Sequence, residues 1–168
     1  MAHISFKSKI LEAAKAAEMV QQWQCDHKKV VFTNGCFDIL HRGHVEYLAK
    51  AAEKGDRLLL GLNTDSSVRR IKGPTRPIVD QESRAIVLAA LGFIDLIVLF
   101  DEDTPYELIK TVQPDVLVKG ADYKVEDIVG YDVVVGRGGT VETISFVDGF
   151  STSQIIDKIA QELKGSCS

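Results

Sequence analysis

His41 and His44 stand in H-x-G-H order at the end of Asn34-Gly35-Cys36-Phe37-Asp38-Ile39-Leu40-His41-Arg42-Gly43-His44. The stretch follows Val30 to Thr33, an apolar run of strand type, and precedes a helix expected from about Gly43 to Lys54. Two imidazoles at such a junction can both face a phosphate chain. Free N–H groups at a helix start add donors and a positive dipole end. Gly43 lets the backbone approach a bulky anion. Downstream, Lys72-Gly73-Pro74-Thr75-Arg76-Pro77 is a basic loop of turn formers, and Ser151-Thr152-Ser153 opens a late helix with hydroxyls. The loop has little apolar content to pin it, so it is expected to be mobile without ligand and to close over the phosphates. Together these groups suit nucleotidyl transfer. The work there is to orient two polyanions and stabilise charge on phosphorus, without a covalent enzyme intermediate. Mg²⁺ would neutralise the triphosphate.

Other chemistries fit less well. No G-x-x-x-x-G-K-[ST] loop is present, nor a G-x-G-x-x-G after the first strand, which disfavours a P-loop ATPase and a dinucleotide dehydrogenase. No H-E-x-x-H or Cys/His cluster supports a catalytic zinc. A Cys36–His41 nucleophilic pair lacks an orienting third residue, and Cys36 reads as a small packing side chain at a buried strand end. The net charge of −4 argues against a nucleic-acid binder. Three cysteines without C-x-x-C spacing point to a reducing compartment. No apolar run reaches membrane-spanning length and no signal core follows Lys7 and Lys9, so a cytoplasmic protein is expected.

The elements that must position these groups alternate. Ile10, Leu11, Ala14, Ala17, Val20 and Trp23 predict a helix over about 7–23, its stripe taken as packing or dimer surface. Strands are expected at Val30–Thr33, Arg57–Leu62, Ile94–Phe100, Val116–Lys119, Val133–Val135 and Val141–Val147. Helices are expected at Gln81–Leu91 behind Asp80, at Thr104–Thr111, and from Ser151 to about Leu163. Strands apolar on both faces imply a parallel sheet covered on both sides. The reading is a Rossmann-like, doubly wound α/β sheet in one domain over 1–168, with an extra N-terminal helix. The polar segments fall beyond the carboxyl ends of the strands, where such sheets bind ligands: Thr33–His44, Asn63–Asp65, Lys119–Asp122 and Asp148–Ser153.

The H-x-G-H turn and the Ser-Thr-Ser helix start resemble the nucleotidyltransferase superfamily of cytidylyl- and adenylyltransferases. Thr33 to His44, Asn63-Thr64-Asp65, Lys72-Gly73 with Arg76-Pro77, Glu102-Asp103-Thr104-Pro105, Leu117 to Tyr123 and Asp148 to Ser153 are similar to one branch, the D-glycero-β-D-manno-heptose 1-phosphate adenylyltransferases. The likeness covers roughly 28–160. It implies ATP and heptose 1-phosphate as substrates, ADP-heptose and pyrophosphate as products, a role in lipopolysaccharide core synthesis, and a homo-oligomer, with a dimer expected. In many bacteria this domain is fused behind a sugar kinase; 168 residues are too few to hold one, so the chain resembles the stand-alone form.

On this reading His41, His44 and Lys72 are catalytic. Thr33, Asn34, Gly35, Phe37, Gly43, Lys119, Gly120, Ser151 and Thr152 face the nucleotide. Asp38, Asn63, Asp65 and Arg76 face the sugar phosphate. Capping or turn roles compete for Asp38, Asn63 and Asp65, and plain ion pairs for Arg76 and Arg84. Metal ligands are not assigned. Many cytidylyltransferases carry a hydroxyl residue in the place of Cys36 and an arginine shortly before the last helix; this chain has neither, which favours the adenylyl branch. A glycerol-phosphate or ethanolamine-phosphate cytidylyltransferase is the alternative, and a non-catalytic nucleotide-binding module is a third reading.

Overall fold

The computed structural model describes residues 6–121, 124–145 and 149–165. Five strands, β1 (Val30–Gly35), β2 (Arg57–Asn63), β3 (Leu96–Phe100), β4 (Val116–Gly120) and β5 (Thr140–Ile144), form one all-parallel sheet in the order β3-β2-β1-β4-β5. The Rossmann-like α/β class expected from alternation is what the chain adopts. Each strand sends alternate apolar side chains to opposite faces, as the two-residue period requires. Val31, Leu58, Leu60, Ile97, Val116 and Val118 meet α2 (Arg42–Ala52) and α4 (Gln81–Ala89) on one face. Val30, Phe32, Leu59, Val98 and Leu117 meet α1 (Ala13–Cys25), α5 (Tyr106–Val112) and α6 (Tyr131–Val135) on the other.

Parallel order forces a crossover after every strand, and this explains the main correction to the strand reading. Val133–Val135, a β-branched run expected as a strand, lies in α6, the short helix between β4 and β5. Only Val134 is buried on it, and Gly130 enters it at φ 91°. The first helix begins at Ala13 rather than near residue 7. Before it, Phe6–Lys9 make a short 3₁₀ turn, Ile10 bridges Ile97, and the Leu11 N–H donates to the Ile97 carbonyl. This segment covers the outer edge of β3, a good use of apolar residues beside an unpaired strand. Pro105 stands ahead of α5, which starts at Tyr106. Beyond Ile144, the expected strand residues Phe146 and Val147 lie outside the described residues, as do Asp122, Tyr123 and Asp148.

Two further helices frame the site. α3 (Asp65–Lys72) is capped by Thr64, whose Oγ1 accepts from the Ser67 N–H, so Lys72 is the last helical residue and the loop begins at Gly73. α7 (Thr152–Gly165) starts beyond Ser151, whose Oγ accepts from the Gln154 N–H at 3.2 Å. Asp80 caps α4 as expected, accepting from Ser83.

Candidate active site

The strand order reverses between β1 and β4, and there a cleft of about 610 Å³ opens at the carboxyl ends of the strands. Asn34 and Gly35 from β1, Asn63 from β2 and Lys119 and Gly120 from β4 form its floor. Cys36, Phe37, Asp38 and His44 follow from the β1–α2 turn, Lys72 and Arg76 from the end of α3 and its loop, and Ser151 and Thr152 from the start of α7. Twelve of the sixteen candidate residues thus line one cavity.

The turn after β1 is shaped by Phe37, which sits at φ 44°, a region unusual outside glycine. Its ring lies over Gly35, where a Cβ would fall 2.7 Å from a ring carbon. The same ring meets His44 edge to face, with centroids 5.2 Å apart. His44 stacks in turn on His41, 3.8 Å between centroids. Burial, and then the neighbouring His41, pushes the His44 pKa down to about 4, against a hydrogen bond to the Ile39 backbone. Burial lowers His41 as well. Asn34 Oδ1, His44 Nδ1 and both ring nitrogens of His41 are buried without a hydrogen-bond partner. Native interiors rarely leave polar atoms so, and two of these, Asn34 Oδ1 and His44 Nδ1, belong to residues that line the cleft.

Four candidates stand elsewhere. Thr33 is fully buried; its hydroxyl pairs with Tyr47 Oη at 2.8 Å and ties β1 to α2. Gly43 is buried away from the cleft lining; a Cβ there would lie 3.0 Å from Phe150 Cβ and 3.1 Å from His41 Cε1, so its smallness admits those side chains. Asp65 accepts from Arg84 Nη2 at 2.7 Å as part of the scaffold. His41 backs His44 without itself lining the cavity.

Asp38 lines the cleft yet works on the protein. Its Oδ1 accepts from the Ile78 and Val79 N–H groups at 2.8 Å each, and its Oδ2 from Arg76 Nε at 2.6 Å. Burial opposes its charge, but these donors outweigh that and hold the carboxyl below the usual carboxylate range. The basic loop is therefore latched at Arg76–Val79, which corrects the expectation of an unpinned loop; only the reach from Lys72 to Thr75 lacks such a tie. Asn63 donates from Nδ2 to Ser67 Oγ at 3.0 Å. Cys36 is half-buried just past β1, not at a buried strand end. Burial raises its thiol pKa even against Lys72, Arg84 and Arg76, so the thiolate is disfavoured.

Sequence reasoning undervalued Arg84. Its guanidinium is wholly buried and donates to Val79 O, Cys36 O and Asp65 Oδ1. The signal was available: Arg84 falls on the same stripe of α4 as Ala85, Leu88 and Ala89, all buried.

The cytidylyltransferase-like family pattern matches residues 32–158, from β1 through the cleft to α7. The chain belongs to that family. The catalytic class expected from the sequence, a nucleotidyltransferase, is the one this membership carries. Among similar proteins, the bifunctional protein HldE of Citrifermentans bemidjiense is 58% identical over 152 residues, 90% of this chain and 31% of its own length. The bifunctional protein HldE of Campylobacter curvus is 56% identical over 158 residues, 94% of this chain and 32% of its own. The chain thus spans about a third of the curated relatives it matches. A lipopolysaccharide core biosynthesis protein from Thermoplasma volcanium has a crystal structure that superposes with a TM-score of 0.58 at 30% identity, over 71% of this chain and 97% of that one.

Proposed function

We propose that this nucleotidyltransferase moves the adenylyl group of ATP to D-glycero-β-D-manno-heptose 1-phosphate, giving ADP-heptose and pyrophosphate for lipopolysaccharide core synthesis. The convergence of His44, Lys72 and Lys119 with the Asn34-Gly35 strand end and the start of α7 on one switch-point cleft carries the reading. In the step, an oxygen of the sugar phosphate bonds to the α-phosphorus of ATP, and the bond from that phosphorus to the β-bridging oxygen breaks, releasing pyrophosphate. His44, Lys72 and the N–H groups at the start of α7 would donate to phosphate oxygens as charge shifts to the leaving group. Lys119 and Gly120 would border the nucleotide, and Asn63 and Arg76 the sugar phosphate. Among the described residues no three His, Cys, Asp or Glu side chains gather to hold a metal ion. Mg²⁺ would arrive on the triphosphate, its usual carrier.

Similarity to the HldE proteins and the thiol at Cys36, in place of a hydroxyl, support the adenylyl and heptose assignment. The cytidylyltransferase-like family match favours CTP as the competing donor, and glycerol 3-phosphate serves as the competing acceptor. Pyrophosphate release, measured with ATP or CTP against heptose 1-phosphate or glycerol 3-phosphate, separates the two. Turnover should be fastest with ATP and heptose 1-phosphate. Equal or faster turnover with CTP overturns the adenylyl reading, and turnover confined to glycerol 3-phosphate overturns the sugar.

A further inference from the structure

We infer that Arg84 is a positioning residue that sets the aim of His44, although it touches no substrate. The inference rests on the nucleotidyl-transfer reading. A guanidinium removed from water is tolerated only where its donors are met. Here Nη1 donates to the Cys36 carbonyl at 2.6 Å, Nε to the Val79 carbonyl at 2.9 Å and Nη2 to Asp65 Oδ1 at 2.7 Å. The three acceptors belong to three separate segments: the β1–α2 turn, the loop before α4, and the start of α3. A planar fork can span them together; a single ammonium cannot.

The link to the cleft is short. The Cys36 carbonyl belongs to the peptide that leads into Phe37, held at φ 44°. Phe37 in turn packs on Gly35 and sets the edge-to-face contact with His44. Fixing the Cys36 carbonyl fixes Phe37, and Phe37 fixes the plane of the His44 ring. Arg84 also completes the hold on the loop: the Val79 N–H is taken by Asp38 and the Val79 carbonyl by Arg84. One buried side chain thus ties the histidine turn to the segment that carries the basic loop.

Arg84→Lys is the decisive variant, with pyrophosphate release, circular dichroism and the His44 imidazole proton resonances as readouts. The variant should fold, lose on the order of 10²-fold in kcat from a misplaced donor, and keep its KM for ATP within about threefold. The His44 resonances should move, because the shielding by the Phe37 ring depends on their mutual geometry. Millimolar guanidinium should restore part of the kcat of Arg84→Gly, and methylammonium should not. A folded Arg84→Lys protein with wild-type kcat overturns the inference, and so does a kcat loss with unmoved His44 resonances. Should Arg84→Lys not fold, Arg84→Gln is judged by the same two readouts. If the wild-type chain releases no pyrophosphate with any nucleotide, the transfer reading has failed on its own; the His44 resonances then decide the positioning role, movement supporting it and no movement overturning it.

Discussion

The imidazoles of His41 and His44 lie face to face, with ring planes 21° apart and centroids 3.8 Å apart. Two imidazolium ions at that separation repel, so the first proton on the pair raises the cost of the second. With His44 held near 4 and His41 lowered too, both rings are neutral at pH 7. The cationic side chains lining the cleft are then Lys72, Lys119 and Arg76, the last paired with Asp38.

Binding of ATP should therefore take up protons in mildly acid solution. A triphosphate beside His44 favours its charged form and raises its pKa above the free value of about 4. Between the free and the raised value the complex holds more protons than the free protein, so affinity should increase as pH falls from 7 toward 5. Titration calorimetry at pH 5.5 in buffers of different ionisation enthalpy measures the uptake. A binding enthalpy independent of buffer would show that the histidines do not sense the phosphates.

His44→Ala should fold and lose on the order of 10²–10³ in kcat, the usual cost of one preorganised donor. His41→Ala should lose turnover too, but less, because its ring backs His44 without lining the cavity. Calorimetry should show ATP binding to both within a modest factor. A larger kcat loss in His41→Ala than in His44→Ala would reverse their roles.

Asp38→Asn should release the loop at Arg76–Val79. The amide keeps one acceptor oxygen but loses the charge that faces Arg76. Charge-assisted hydrogen bonds of this kind contribute about 1.5–3 kcal/mol, and urea unfolding should show a loss in that range. The Ile78 and Val79 amides should exchange faster with deuterium, and kcat should fall as Arg76 loses its place in the cleft. Unchanged exchange at those two amides would mean that other contacts hold the loop.

Cys36→Ser should keep substantial activity. Burial raises the thiol pKa, and its contact with Asn63 Oδ1, at 4.0 Å, is weak. A single displacement should also invert configuration at the α-phosphorus, which a chiral α-thio ATP substrate reports. Net retention, or complete loss of turnover in a folded Cys36→Ser protein, would return the thiol to the mechanism.

What the sequence revealed followed from local chemistry. Val30 to His44 announced strand, turn and helix because its apolar run, its glycines and its histidines each constrain the backbone in one place. The cleft could be placed because polar residues fell at strand ends in a parallel sheet. The roles that stayed hidden depend on contacts between distant segments. Thr33 reads as part of the motif until Tyr47 on α2 claims its hydroxyl, and Asp65 reads as a sugar ligand until Arg84 claims its carboxylate. The loop looked unpinned because its tether, Asp38, lies 38 residues away from Arg76. Val133–Val135 misled for a similar reason: β-branched residues favour strands, but the crossover between β4 and β5 needed a helix there.

The bridge from Ile10 to Ile97 has a consequence for how far the sheet can grow. With Leu11 donating to Ile97, the outer side of β3 is closed to a further strand at its midpoint. Among the described residues, no strand pairs with the outer side of β5. A chain trimmed to begin at Ala13 would bare the outer main-chain groups of β3 about Ile97, and with them an apolar template for self-adhesion. The short segment 6–12 ahead of α1 thus serves colloidal behaviour as much as fold, and tags or truncations at this end of the protein should leave Ile10 and Leu11 in place.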